Sequence, residues 1–317
     1  MASQIEIRIG TRGSPLALAQ ARQVKALLLA AHGWADGAVE IVPIVTTGDR
    51  ITDRKLSDIG GKGLFTKEIE DGLLDRSLDC AVHSMKDVAT ALPGGLEIVA
   101  VLEREDPRDA LIAGTDISGL EDLKDGAVVG TASLRRAAQV LSVRPDVTIV
   151  PLRGNVGTRL EKISNGMADA SLLAMAGLNR LGLAHEARAA LPTSQMLPAL
   201  CQGIVGIEAR SDDARVRGLL APLNHWPSWV AARAERALLA ELDGSCRTPM
   251  AGIARLEHHA QSLSLEGAIF SPDGRTVYRG ESEAAVGDAE ALGRALGQQL
   301  KDEAGEAFLA TIKEMAS

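Results

Sequence analysis

The sequence predicts an α/β protein of two α/β lobes, with two crossings of the chain between them, followed by a small α+β domain. Three observations favour this fold class. The chain has 317 residues, which exceeds what one hydrophobic core usually serves. Strand-like and helix-like runs alternate before about Pro222, a pattern typical of mainly parallel sheets with helices on their faces. After that point a long helix, a few strands and a closing helix replace the alternation.

The first predicted lobe opens with a strand over Ile5–Gly10, where isoleucines alternate with charged residues. A helix follows to about Ala31, because Ser14 is a preferred N-cap and Pro15 suits a first helical turn. The glycine-rich stretch Gly48–Gly63 has no apolar period and is predicted to be a mobile loop. The remaining elements of this lobe are strand Val39–Thr47, helix Leu64–Arg76, strand Leu78–His83 and strand Leu96–Leu102.

The charged segment Glu103–Arg108 is predicted to lead into a second lobe, and Gly203–Glu208 to form a strand that rejoins the first sheet. We therefore expect domain 1 over 1–103 and 204–221, domain 2 over 104–203 and domain 3 over 222–317. Open α/β sheets bind ligands beyond the carboxyl ends of their strands, so a cleft between the lobes is the expected site. The later elements are strands Ala127–Gly130, Val147–Leu152 and Ala170–Ala176, helices from Ser133 and Val156, and helices Ser228–Leu242 and Asp288–Glu314.

Composition narrows the classes of function. A net charge of −8, with three Phe, three Trp and one Tyr, argues against nucleic acid, which needs basic surfaces and aromatic stacking platforms. The start of the chain has no signal-peptide pattern and no apolar run is long enough to span a bilayer, so we expect a cytoplasmic protein without membrane contact. The spacing of Cys80, Cys201 and Cys246 fits neither a disulfide framework nor a metal site.

Arginines stand where predicted strands end and helices begin. Arg12 lies in the segment Thr11–Ser14, two arginines close Gly130–Arg136, and two more lie in Leu152–Arg159. Helix N-termini attract anions, and arginine adds bidentate carboxylate recognition. The alternative is ordinary helix capping beside solvated arginines. If the side chains converge, a ligand with many carboxylates fits best, and the arginines concerned are Arg12, Arg135, Arg136, Arg153, Arg159 and Arg180.

Three further segments have two interpretations each. Lys86 and Asp87 could form a surface ion pair of little energetic worth, or Asp87 could stabilise a cation that develops during a reaction. Lys62, between glycines, marks either a flexible loop end or a lid that brings a cation over the cleft. Cys246 could be an inert small residue, or a reactive thiol favoured by the neighbouring Arg247.

With these segments assembled, the chain resembles the porphobilinogen deaminase family from Ile7 to its last helix. The matching blocks are long and occur in the family's order: IGTRGSPLALAQ, VTTGDR, GGKGLFTKEIE, AVHSMKDV, EREDPRDA, VVGTASLRR, LRGNVGTRL, LAMAGLNRLGL, LPALCQGIVGIE and ERALLAELDGSC. The resemblance implies an enzyme that condenses four porphobilinogen molecules into the linear tetrapyrrole hydroxymethylbilane and releases ammonia. It also implies a monomer.

The resemblance assigns roles to individual residues. Cys246 would anchor a dipyrromethane cofactor through a thioether, and Asp87 would be the catalytic carboxylate. The residues implied to bind the cofactor are Lys86, Thr131, Ser133, Arg135 and Arg136. Those implied to bind porphobilinogen and the growing chain are Arg12, Ser14, Gln20, Lys62, Arg153, Arg159, Arg180 and Gln202.

The predicted arginine cluster suits such a ligand. Each pyrrole unit brings two carboxylates, so the cofactor with four added units carries about a dozen negative charges. A buried site must pair these charges to avoid a desolvation cost of several kcal/mol per ion. At Ala132, Cys201 and Ser245 the sequence departs from the residues that are most common in the family. None of these departures touches Asp87, Cys246 or the arginines.

Two other classes of protein remain as alternatives. Periplasmic-binding-protein-like α/β lobes with a double crossover hinge also occur in non-catalytic solute binders, which need neither Asp87 nor an anchoring cysteine. Such binders of the periplasmic type carry an export signal, which we do not find here. A phosphate-ester enzyme could use the helix N-termini, but no cluster of metal-binding carboxylates accompanies them.

Overall fold

A computed structural model of the chain describes residues 5–47, 66–114, 116–242 and 248–316. The strands are β1 (Ile7–Arg12), β2 (Val39–Ile44), β3 (Cys80–Ser84), β4 (Leu96–Val101), β5 (Asp109–Ala113), β6 (Val128–Gly130), β7 (Thr148–Val150), β8 (Ala170–Ala174), β9 (Ala189–Ala190), β10 (Val205–Arg210), β11 (Met250–Glu257), β12 (Ser262–Phe270) and β13 (Val277–Ala285). The α-helices are α1 (Pro15–His32), α2 (Lys67–Leu74), α3 (Leu134–Val143), α4 (Val156–Ser164), α5 (Met175–Arg180), α6 (Ala214–Leu220), α7 (Trp226–Glu241) and α8 (Ala289–Ala316).

The chain divides into two units. Unit one comprises Met1–Arg104 with Ile204–Trp229, and unit two comprises Glu105–Gly203 with Val230–Ser317. The two α/β sheets and the small third sheet confirm the predicted fold class. The three predicted domain ranges stay a prediction.

Unit one is built on a five-stranded sheet of order β2-β1-β3-β10-β4. Its β1 runs parallel to β2 and β3, whereas β10 is antiparallel to both β3 and β4. The prediction that the chain rejoins the first sheet near residue 205 is confirmed. The expectation of a mainly parallel sheet is too simple, because the returning strand β10 inserts in the opposite direction.

Helix α1 follows the predicted capping pattern. The Ser14 side chain accepts a hydrogen bond from the Ala17 amide at 3.3 Å, and Gly33 ends the helix in a left-handed conformation with φ 65°. The inner face of α1 packs Ala21, Val24 and Leu28 against the sheet core. The cap therefore fixes the first turn of α1 next to the carboxyl end of β1.

Unit two contains a second five-stranded sheet, of order β7-β6-β8-β5-β9. Strands β6, β7 and β8 are parallel, while β5 is antiparallel to β8 and β9. Ser133 caps α3 and Asn155 caps α4 through their side-chain oxygens. The capped starts of both helices thus follow the carboxyl ends of β6 and β7, as predicted.

The last sheet of unit two, β11-β12-β13, is antiparallel. Leucines of α7 and α8 cover one side of it in a single core cluster. Ala251, Ile253 and Phe270 pack instead with Ala138 and Leu197. This small sheet is therefore enclosed by apolar contacts within its own unit.

Candidate active site

Unit one has a cavity of about 90 Å³ where β1 and β3 end and α1 begins. Four predicted site residues line it: three belong to the end of β1 and the start of α1, and the fourth, Asp87, follows β3. The full lining is Arg12, Ser14, Leu16, Ala17, Gln20, Thr66, Val82, His83, Ser84, Asp87 and Val88. This lobe therefore brings its predicted carboxylate, arginine and amide to one place.

Asp87 is carried by a short 3-10 turn over Met85–Asp87, directly after β3. The amide of Met85 donates to the Ile204 carbonyl at 3.0 Å and the amide of Val88 donates back to Met85 at 3.2 Å. The Met85 side chain is buried and lies over Gly206, where it leaves no room for a Cβ atom. The backbone and Met85 hold the turn, so the Asp87 carboxylate is left exposed at the cavity.

Gln20 and Ser84 form a hydrogen-bonded pair beside Asp87. Gln20 Nε2 donates to Ser84 Oγ at 2.8 Å, and the Gln20 side chain is 3% exposed. Ser14 lines the cavity while its Oγ caps α1. Ser14 thus caps α1 as predicted, and its role in binding substrate stays a prediction.

A buried polar cluster that the sequence analysis did not identify borders the cavity through His83. His83 Nε2 lies 2.9 Å from Glu208 Oε2, and the exposed fractions of the two side chains are 6% and 0%. Glu70 of α2 is also buried on this face of the sheet. Burial raises the pKa of Glu70, and the negative charge of Glu208 adds to the rise. Because side chains alternate along a strand, His83 shares the α2 side of β3 with Ala81. This alternation is the sequence pattern that could have identified the buried position of His83.

The raised pKa of Glu70 predicts a pH-dependent stability. An acid whose folded-state pKa is raised contributes stability at low pH, and this is lost as pH rises past the unfolded-state pKa of about 4.3. We expect Glu70→Gln to lose this pH dependence, so that the free energy of unfolding of the variant rises relative to that of wild type as pH increases above about 4.3. Urea unfolding across this range measures it.

Asp75→Asn provides the control of opposite sign. Hydrogen bonds from Ser77 lower the pKa of Asp75, so its contribution is present above the unfolded-state pKa and lost as pH falls. We expect this variant to be less stable than wild type at neutral pH. If the difference in the free energy of unfolding between Glu70→Gln and wild type were the same at every pH, the account of Glu70 would be contradicted.

In unit two, Arg135 and Arg136 converge on Asp109, a residue that the sequence analysis missed. Arg135 Nη1 lies 2.7 Å from Asp109 Oδ2, and Arg136 Nη2 lies 2.6 Å from Asp109 Oδ1. Burial alone would raise the pKa of Asp109, but the two guanidinium groups outweigh burial and lower it. Asp109 is therefore ionised, and all three side chains are buried.

The other predicted residues of unit two lie on the same sheet or on the segments that follow its strands. Thr131 Oγ1 accepts from the Ser133 amide at 3.1 Å, and Gln202 Nε2 donates to Asp109 Oδ1 at 3.0 Å. Arg159 Nε donates to the Gly154 carbonyl at 2.8 Å, and Arg153 is partly buried. These contacts bring Gln202 to the Arg135–Asp109–Arg136 group.

Arg180 stands out among these arginines. Its Nη2 donates to the Gly203 carbonyl at 2.9 Å. Its Nε is buried and has no hydrogen-bond acceptor among the described residues. Burial lowers the pKa of Arg180, although the nearby Glu105 opposes that shift. A buried guanidinium with an unused donor is suited to an anionic ligand.

Several predicted residues lie outside the described residues. These are Lys62, Ser245, Cys246 and the loop Gly48–Gly63, and their roles stay predictions. Cys80 and Cys201 are buried and form no disulfide bond within the described residues, and Cys201 adopts a left-handed φ of 62°. No group of three or more potential metal ligands occurs within the described parts of the chain. No helix there is long and apolar enough to cross a membrane.

Comparison with known proteins adds family information to this geometry. Residues 7–218 match the family model "Porphobilinogen deaminase, dipyromethane cofactor binding domain", and residues 229–302 match "Porphobilinogen deaminase, C-terminal domain". The porphobilinogen deaminase of Paracoccus denitrificans is 52% identical over 301 residues, which covers 95% of each chain. That of Nitrobacter winogradskyi is 52% identical over 300 residues, covering 95% of this chain and 94% of the relative.

Solved structures with a similar arrangement are much more distant. The periplasmic VFT2 domain of BvgS from Bordetella pertussis is 16% identical, with a TM-score of 0.38, over 68% of this chain and 84% of that one. The L-cystine solute receptor of Neisseria gonorrhoeae is 14% identical, with a TM-score of 0.36, over 70% and 86% of the two chains. These values are too low to bear on the function of this chain.

Proposed function

Because the chain belongs to the porphobilinogen deaminase family, we propose roles for its own side chains in the reaction of that family. The chain is a transferase that joins four porphobilinogen molecules into linear hydroxymethylbilane and releases ammonia. It uses a dipyrromethane cofactor. The convergence of Arg12, Gln20 and Asp87 on one cavity carries the assignment of residues.

Asp87 is the proposed catalytic carboxylate. When ammonia leaves porphobilinogen, positive charge develops on the pyrrole and its methylene carbon. An exposed carboxylate on a turn fixed by backbone hydrogen bonds can accept a hydrogen bond from the pyrrole N–H and stabilise that charge without rearranging. Lys86, next to it, is a proposed cofactor contact.

Arg12 is the proposed partner of the substrate carboxylates in the same cavity. A guanidinium binds acetate and propionate side chains in bidentate fashion and fixes the ring against Asp87. The Gln20–Ser84 hydrogen bonds keep neighbouring polar atoms in place, and Ser14 presents the first turn of α1. Lys62 is proposed to add a further cation.

The residues of unit two fit a group that carries carboxylates. Thr131 and Ser133 stand at the N-terminus of α3, and Arg135 and Arg136 lie in its first turn. We propose that Thr131, Ser133 and Arg135 hold the carboxylates of the dipyrromethane and that Arg136 attracts them through its charge. The dipyrromethane is proposed to be attached at Cys246 and supplies the ring carbon to which new units are added. The growing chain is proposed to be bound by Arg153, Arg159, Arg180 and Gln202.

A product assay tests this function against the solute-binding alternative. Purified protein incubated with porphobilinogen should release four molecules of ammonia for each linear tetrapyrrole detected by mass spectrometry. A solute-binding module would bind porphobilinogen and release no ammonia, which would overturn the assignment. A cytoplasmic location and a monomeric state are parts of the same proposal, and size-exclusion chromatography with light scattering checks the latter.

A further inference from the structure

Asp109 lies at the edge of the unit-two sheet where the parallel strands β6 and β8 end. It is the first residue of β5, and because β5 is antiparallel to β8 it stands opposite Ala174, the last residue of β8. Strand β6 ends at the same edge and leads into α3 through Ser133. Asp109 is completely buried there.

The charges around Asp109 do not balance within the cluster. Two guanidinium groups share one carboxylate, so the group keeps a net positive charge although Arg135 and Arg136 are only 5% and 6% exposed. Both arginines also lie in the first turn of α3, where the helix dipole disfavours cations. Such local conflicts in a buried site are expected where a ligand completes the arrangement.

The side-on edge of the Arg136 guanidinium is already occupied. Its Nε and Nη2 donate to Asp109 Oδ1 at 3.2 and 2.6 Å, and its Nη1 donates to the Leu172 carbonyl at 2.9 Å. All three nitrogens therefore have protein partners. Arg136 contributes charge to the site while its side-on donors are directed at Asp109.

Arg135 is held differently by the same aspartate. Its Nη1 contacts Asp109 Oδ2 and donates to the Leu197 carbonyl, both at 2.7 Å. The hydrogen bond and the ion pair of the Arg135 guanidinium both use Nη1. Its Nε and Nη2 make no hydrogen bond to another described residue, and these two atoms form the edge that matches a carboxylate. The open edge belongs to a side chain that is almost fully buried.

We infer that Asp109 is a positioning residue: it occupies the donor edge of Arg136, anchors Nη1 of Arg135, and so leaves the Nε–Nη2 edge of Arg135 for one carboxylate of the cofactor. This inference rests on the proposed function of the site. Asp109 is itself fixed by Gln202, whose Nε2 donates both to Asp109 Oδ1 at 3.0 Å and to the Pro107 carbonyl at 2.8 Å.

The test measures cofactor loading rather than turnover. Full-length protein made without porphobilinogen is mixed with porphobilinogen, and the gain of covalent mass is followed by intact-protein mass spectrometry. Asp109→Asn should load at least about tenfold more slowly than wild type, the equivalent of losing one hydrogen bond to a charged group. Asp146→Asn is the matched control, because Asp146 accepts two hydrogen bonds from Arg144 at 2.8 and 2.7 Å on the surface. It should load at the wild-type rate.

A second pair of variants covers the case in which Asp109→Asn fails to fold. Arg135→Lys keeps a cation near Asp109 but removes the carboxylate-matching edge. It should keep the wild-type unfolding temperature within a few degrees and still load at least about tenfold more slowly. Arg136→Lys, which loses the paired contact to Asp109, should lower the unfolding temperature more than Arg135→Lys does.

The outcomes separate this inference from the proposed function. Loading of Asp109→Asn or Arg135→Lys at the wild-type rate would overturn the positioning role and leave the function intact. A wild-type protein that never gains mass would overturn the proposed function, and the inference with it. An Arg135→Lys variant that loads slowly only because it unfolds would also count against the role of the open edge.

Discussion

Asp87→Asn is expected to fold normally and to turn over porphobilinogen about 10²–10³-fold more slowly than wild type, the usual loss when one preorganised electrostatic partner of a transition state is removed. The amide is isosteric but cannot balance the positive charge that develops as ammonia leaves. The turn that carries the residue is held by backbone hydrogen bonds and by buried Met85. We therefore expect stability to change by no more than about 0.5 kcal/mol.

The measurement is kcat under saturating porphobilinogen, with urea unfolding of the same preparations. Asp212→Asn is the control, because Asp212 pairs with Arg76 at 3.2 Å on the surface of the same unit and should leave kcat unchanged. Turnover by Asp87→Asn within a few-fold of wild type would remove Asp87 from its proposed role. Loss of turnover together with loss of folding would instead mean that the turn depends on the carboxylate.

Cys246→Ser is expected to abolish cofactor attachment and, with it, turnover. A serine hydroxyl is a much weaker nucleophile than a thiolate, so the thioether bond has no ready substitute. Position 246 lies outside the described residues, so this prediction rests on family membership. Intact-protein mass spectrometry of the variant, expressed with porphobilinogen available, should give the mass of the bare polypeptide.

Cys201→Gly is the matched control for a cysteine elsewhere in the chain. Cys201 is buried and has a left-handed φ of 62°, a conformation that glycine adopts at little steric cost. Its amide donates to the carboxylate of Glu235, and glycine keeps that amide. The control should carry the cofactor mass. A Cys246→Ser protein that also carries it would place the attachment at another residue.

The parts of the fold that depend on short-range chemistry were predictable. Ser14 and Pro15 set the start of α1, and Ser133 and Asn155 set those of α3 and α4, because capping depends on residues a few positions apart. Strand β5 was missed because it begins with Asp109, a charged residue that reads as part of a surface crossing. The arginines that neutralise Asp109 lie in helix α3, far away in the sequence.

The direction of β10 and the buried polar pairs could not be predicted, because both depend on contacts between residues that are far apart in the sequence. Whether β10 runs parallel or antiparallel depends on how the chain returns from unit two, which local pattern does not encode. The His83–Glu208 pair joins β3 to β10, and neither residue signals its partner in the sequence. Arginine placement indicated an anion site, but only the contacts distinguish the occupied edge of Arg136 from the open edge of Arg135.

Intact-protein mass spectrometry of the wild-type chain tests most directly whether this protein builds a tetrapyrrole on its own tethered primer. After expression with porphobilinogen available, the account predicts the polypeptide mass plus two condensed porphobilinogen units. Limiting amounts of added porphobilinogen should then raise that mass in single-unit steps, up to four. A bare polypeptide that binds porphobilinogen without any covalent gain would contradict the account.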